Sequence, residues 1–173
     1  LQGILNPVME TDVSDNILGV LWSKLTYTCL GYYGSLADAS LVTSCADEAS
    51  RHNLTEFFGE VVAVGNAVGA RFIALAEYNP PDFHPSISFE KRLAAVNAFA
   101  KSWKLDDRKG PLRQIQKSIK TEVDFTLAYV VREGEKFKIS TPLCRKVLDM
   151  IHELETGKRK LGLENYAELR ASS

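Results

Sequence analysis

Apolar residues recur at helical spacing along most of this chain. Ile17, Leu21, Leu25 and Thr28 fall on one face, with Leu18, Trp22 and Cys29 beside them, which predicts a helix over 16–33 capped by Ser14 or Asp15 and ended at Gly34. A weaker pattern, with Leu41, Cys45 and Ala49 in register, predicts a helix over 36–51. Asn53 and Glu56 have the spacing of a capping box ahead of Phe57, Val61, Val64 and Val68, and Gly69 stands where a left-handed helix end belongs. Asn79-Pro80-Pro81-Asp82 reads as a loop, because two prolines cannot continue helical hydrogen bonding. A further helix is predicted over 88–103 from Phe89, Leu93, Val96 and Ala100, followed by a loop over 106–111.

Residues 113–133 carry two signals. Phe125 to Val131 is rich in strand formers, yet Ile115, Ile119, Val123 and Leu127 repeat every four residues. No partner strand is evident elsewhere, so the helix is the consistent choice. Thr141 as cap, Pro142 at the first helical position and an apolar stripe of Leu143, Val147, Met150, Ile151 and Leu154 predict a last helix, stopped at Gly157 and followed by Lys158, Arg159 and Lys160. The expected architecture is an all-α helical bundle of about six helices forming one domain over residues 1–173.

Composition narrows the functional classes. The chain has 173 residues and a net charge of -1, without the basic excess expected of a nucleic-acid binder. Its apolar runs fall short of a membrane span, and no signal-peptide pattern is present. Cys29, Cys45 and Cys144 are scattered, which argues against a disulfide framework or zinc site and for a reducing, cytoplasmic setting; Cys29 and Cys144 fall on apolar helix faces as core residues. The chain lacks an initiator methionine, consistent with a segment of a longer product.

Few residues suggest chemistry unaided. Gly65-Asn66-Ala67-Val68-Gly69 lies in or at the end of a helix rather than after a strand, so it is no dinucleotide fingerprint. Lys24, among Leu21, Trp22 and Leu25, reads either as a proton donor with a lowered pKa or as a snorkelling side chain, and periodicity favours the second. Glu122 and Asp124 are spaced two apart, so on a helix they point away from one another and read as first-turn acids. His52, His84 and His152 share no metal-ligand spacing. Residues 101–120 hold seven basic residues against two acids, read as a solvated helix end and loop.

In order along the chain, five motifs change the picture. Asn16 to Leu25, ending Trp22-Ser23-Lys24-Leu25, resembles the opening helix of the ketopantoate reductase C-terminal domain with its W-x-K-L signature. Glu60-Val61-Val62-Ala63-Val64, Thr121-Glu122-Val123-Asp124 and Thr141-Pro142 resemble the family's later motifs, as does the ending Glu153 to Arg159. The resemblance spans about residues 14–166. It implies the helical, 6-phosphogluconate-dehydrogenase-like C-terminal domain of a two-domain enzyme, whose N-terminal Rossmann domain binds NADPH and lies outside this chain. It further implies reduction of a 2-keto acid, a homodimer, and a fragment that is inactive by itself. Lys24 matches the family's catalytic lysine and Glu122 its active-site glutamate. Thr28 and Tyr32 stand where the family commonly has asparagines, the segment Gly110 to Gln114 lacks its serine and aspartate, and Leu127-Ala128 replaces Asn-Gly. Thr28, Tyr32 and Gln114 are therefore the expected substrate-binding positions of a divergent member acting on another 2-keto acid or carbonyl compound. A non-catalytic interaction module and the helical domain of another Rossmann dehydrogenase are the competing readings.

Overall fold

Asn16, rather than Ser14 or Asp15, starts the first long helix. Its side-chain oxygen accepts from the Gly19 amide at 3.3 Å, while Ser14 Oγ accepts from the Asn16 amide at 3.0 Å. This computed structural model describes residues 2–10, 13–104 and 110–170. Among them are nine α-helices: α1 (Gln2–Leu5), α2 (Ile17–Tyr33), α3 (Leu41–Ser44), α4 (Glu48–Ala67), α5 (Phe89–Ala100), α6 (Gly110–Gln116), α7 (Leu127–Phe137), α8 (Pro142–Glu155) and α9 (Glu164–Arg170). The all-α expectation holds and no strand occurs among the described residues; Leu75 and Tyr78 form only an isolated bridge. The count exceeds six because α1 and α9 are too short to show amphipathic periodicity and the expected helix over 113–133 is split into α6 and α7.

α4 is the central rod, packing against α2, α5, α7, α8 and α9. It begins at the Asp47 cap, which accepts from the Ser50 amide and hydroxyl at 3.0 and 2.7 Å. The expected helix over 36–51 is therefore broken, leaving α3 and the start of α4. The expected capping box is corrected too: Asn53 is buried inside α4, and Glu56 instead makes a two-pronged pair with the buried Arg92 of α5 at 3.2 and 2.9 Å. Gly69 takes the expected positive φ, 89°. Pro80–Phe83 forms one 3-10 turn instead of an irregular loop. The helix expected over 88–103 stops at Ala100. Of the loop expected over 106–111, residues 106–109 lie outside the described residues, and Gly110 with Pro111 opens α6. Segment 113–133 is helical at both ends but interrupted by a 3-10 turn, Val123–Phe125. α8 is not the last helix: Asn165 anchors α9 by donating to the Leu36 and Lys160 carbonyls at 2.6 and 3.0 Å.

The start of α8 is also capped differently from the expectation. Thr141 makes no side-chain cap bond. Glu60, projecting from α4, accepts from the Leu143 and Cys144 amides at 3.0 and 2.8 Å, placing a carboxylate at the positive end of the helix dipole. All three cysteines are buried and free, and burial raises their thiol pKa values, so they stay protonated packing groups.

α2 turns a different side inward from the one its periodicity suggests. Trp22, Cys29, Leu30 and Tyr33 are buried, whereas Ile17 and Leu21 remain 61% and 57% exposed. A connecting segment crosses α2 closely: Arg71 O accepts from the Asn16 amide group at 2.7 Å, and Ile73 donates to Ser23 Oγ at 2.9 Å. Gly19 permits this approach, since a Cβ there would collide with the Arg71 carbonyl oxygen. Gly19→Ala is expected to cost about 1–3 kcal/mol of stability, read as a lower urea midpoint.

Candidate functional site

The two segments resembling the family's signatures fold so that alternate residues have separate jobs. In Trp22-Ser23-Lys24-Leu25, Trp22 is buried with its ring 5.8 Å from that of Tyr129. Ser23 is buried and holds the crossing segment. Lys24 is left exposed on the opposite side, with no ion-pair partner among the described residues. In Thr121-Glu122-Val123-Asp124, Thr121 is buried, and its amide and hydroxyl donate to Glu155 Oε1 at 2.7 and 2.6 Å. Val123 enters the core. Asp124 is bonded to Lys120 Nζ and His152 Nε2, both at 2.8 Å. Glu122 alone remains exposed and uncommitted to the framework.

Those two groups border one hollow. A hollow of about 210 Å³ is lined by Leu21, Lys24, Leu25 and Thr28 of α2 and by Glu122 and Thr126 of the facing turn. Opposite charges thus border one small space without forming an ion pair across it. Hydrogen-bond accounting shows what the hollow can offer. The Thr28 hydroxyl donates to the Lys24 carbonyl at 2.9 Å. Thr126 Oγ1 lies 2.7 Å from the Glu122 carbonyl and 2.8 Å from the Tyr32 hydroxyl. A carbonyl can only accept, so the Thr126 proton goes there and Tyr32 supplies the other bond. Both threonine protons are committed, and Lys24 is the donor side chain that the lining leaves for a ligand. Glu122 and the Thr28 lone pair are acceptors, while Leu21 and Leu25 form an apolar wall.

The other expected binding positions are placed differently. Thr28 lines the hollow. Tyr32 is buried beneath it, supporting Thr126; burial first of all pushes its phenol up to about 12, so it remains protonated at neutral pH. Gln114 sits half-buried on α6, outside the hollow's lining, with its carbonyl accepting from Ile119 at 2.8 Å. Sequence reasoning did not single out Thr126, His152 or Glu155. The only available signal was the three-residue spacing of His152 and Glu155, which puts both on the side of α8 facing the Glu122 turn. His52 stacks near Phe89 with ring centroids 4.3 Å apart, and no metal-binding group of side chains occurs among the described residues. Of the basic stretch, Lys120 is paired to Asp124, while Lys101, Lys104, Arg113 and Lys117 are exposed. No described helix is long and apolar enough to cross a membrane.

The pattern of a protein family described as "Ketopantoate reductase PanE/ApbA C terminal" matches residues 16–155. Several solved structures share the fold, two of them as follows. A PanE/ApbA family ketopantoate reductase from Ralstonia eutropha JMP134 is 18% identical with a TM-score of 0.66, over 85% of this chain and 44% of that one. A D-mandelate dehydrogenase in ternary complex with NADH and anilino(oxo)acetate is 14% identical with a TM-score of 0.67, over 90% of this chain and 59% of that one. The chain therefore spans roughly half the length of the structures it matches. No curated protein matches it.

Proposed function

The chain belongs to the ketopantoate reductase C-terminal family, and on that premise we propose that it is the substrate-binding half of an NADPH-dependent reductase of 2-keto acids. The observation that carries the proposal is the shared hollow, in which Lys24 and Glu122, from distant parts of the sequence, flank one small open space. The matched relatives extend well beyond the length of this chain, and the described residues contain neither a strand nor a phosphate-cradling glycine loop. The dinucleotide is accordingly assigned to a Rossmann half. Ile17, Leu18 and Leu21 on α2 and Phe125 on the facing turn are exposed, an apolar surface suited to meeting that half. A nicotinamide held by that half would supply the hydride that reduces the carbonyl carbon.

The chain's own residues do the rest. The Lys24 ammonium hydrogen-bonds the carbonyl oxygen, stabilises the charge that develops there and gives it a proton. The Glu122 carboxylate accepts a hydrogen bond from a donor on the substrate and fixes its orientation against the Leu21–Leu25 wall. With only one donor in the hollow, a substrate carboxylate must be met partly by groups of the other half. A homodimer completes the reading.

The test is an assay of the full-length protein against a panel of 2-keto acids with NADPH and with NADH. Turnover of at least one of them, abolished in a preparation of residues 1–173 alone, is the expected result. Absence of oxidation of either nicotinamide across the panel would remove the reductase assignment. Glu122→Gln should lower kcat/KM by roughly a hundredfold in that assay, because an amide keeps the shape but not the charge.

A further inference from the structure

Among the described residues the exposed Glu122 side chain has no partner that aims it, so its direction depends on how firmly the turn beneath it is held. That turn is bracketed by two side chains of α8. On one flank, Glu155 Oε1 accepts from the Thr121 amide and hydroxyl. On the other, His152 Nε2 lies 2.8 Å from Asp124 Oδ1. His152 and Glu155 are three residues apart on one helix, so both prongs come from the same rigid element. Lys120 also binds Asp124, at its other oxygen, but belongs to the same segment four residues earlier. It can stiffen the turn and cannot tie it to the bundle. Arg132 Nη1, from α7, reaches only the Asp124 carbonyl, at a longer 3.3 Å.

Resting on the functional reading above, we propose that His152, acting through Asp124, is a positioning residue that sets the geometry of Glu122 in the hollow. The contact needs a proton on Nε2, because the carboxylate can only accept. Lys120 and His152 hold the Asp124 carboxyl below the usual carboxylate range, which keeps it an acceptor through neutral pH. Losing the His152 prong leaves Asp124 tethered to α8 by nothing else described, with the end of the turn still tied to α2 through the Thr126–Tyr32 bond, and a displacement of about 1 Å at Glu122 is enough to slow the chemistry substantially.

The experiment is a double-mutant cycle in the full-length enzyme, read as kcat and KM for its best 2-keto acid, nicotinamide affinity and melting temperature. His152→Ala is expected to lower kcat/KM about tenfold, with nicotinamide affinity unchanged. His152→Gln, which retains an N–H donor, should recover most of that loss. In a Glu122→Gln background His152→Ala should have little further effect, because the group it positions is already disabled. A full tenfold loss in both backgrounds, or no loss in the wild-type background while Glu122→Gln is impaired, would overturn the proposal. A silent Glu122→Gln would instead remove the assignment of Glu122 and this inference with it, a result distinguishable from the other two.

Discussion

If the proposed function holds, Lys24→Ala in the full-length protein is expected to lower kcat by roughly a thousandfold while leaving nicotinamide affinity nearly intact. The size follows from the inventory of the hollow. Thr28 and Thr126 have their hydroxyl protons tied to main-chain carbonyls, so neither can take over as a donor to the carbonyl oxygen. Glu122 carries charge of the wrong sign for that task. On the proposed reading the cofactor contacts lie in the other half, so its binding constant reports whether the variant is still assembled. Stability should change little, because Lys24 is exposed and has no ion pair to lose among the described residues. Lys24→Arg separates the two roles of the lysine: arginine retains the charge but scarcely gives up a proton, so it should restore substrate binding better than turnover. Turnover within a few-fold of wild type for Lys24→Ala would end the assignment.

The helices legible in the sequence were those long enough to repeat an apolar stripe and marked by a terminator or a first-position proline. α8 shows this best, with Pro142 and its stripe matching the structure closely. Short helices escaped because four to seven residues span at most two turns and hold no clear period. Asn53 misled because a cap residue is recognisable only by what precedes it; Asp47, six positions earlier, performs that job, and Asn53 packs inside the continuing helix. The exposed Ile17–Leu21 face shows a deeper limit. Periodicity reports that a face is apolar but not which surface covers it. On α2 the side toward this domain is lined by Trp22, Cys29 and residues with hydroxyl groups, such as Ser23 and Thr26. Lys24 and Glu122 came from family resemblance, since by pattern alone one was a surface lysine and the other a first-turn acid. Their convergence depends on α2 meeting the 121–126 turn, and on the Tyr32–Thr126 contact between positions 94 residues apart.

Glu60→Ala should cause the largest loss of stability, about 2–4 kcal/mol, with a melting temperature roughly 5–15 °C lower. Its carboxylate serves two amides at the start of α8, and both Leu143 and Cys144 are buried. Thr141 provides no substitute cap, so truncation leaves those donors without partners in a place water does not readily reach. The pH dependence has a definite sign. Burial, the leading cause, raises the folded-state pKa of Glu60 above its ordinary 4.5, outweighing the amide bonds that lower it. The folded state therefore holds this proton more tightly than the unfolded chain. Its contribution to stability is fully present below the unfolded pKa and is lost as pH rises through the folded value. Glu60→Gln retains one acceptor and cannot ionise, so it should show no such decline. The advantage of wild type over Glu60→Gln in chemical denaturation should shrink as pH is raised from about 4 toward neutrality. An advantage that grows over that interval would mean that the amide bonds, rather than burial, dominate this carboxylate, and that the cap is a charge-stabilised one.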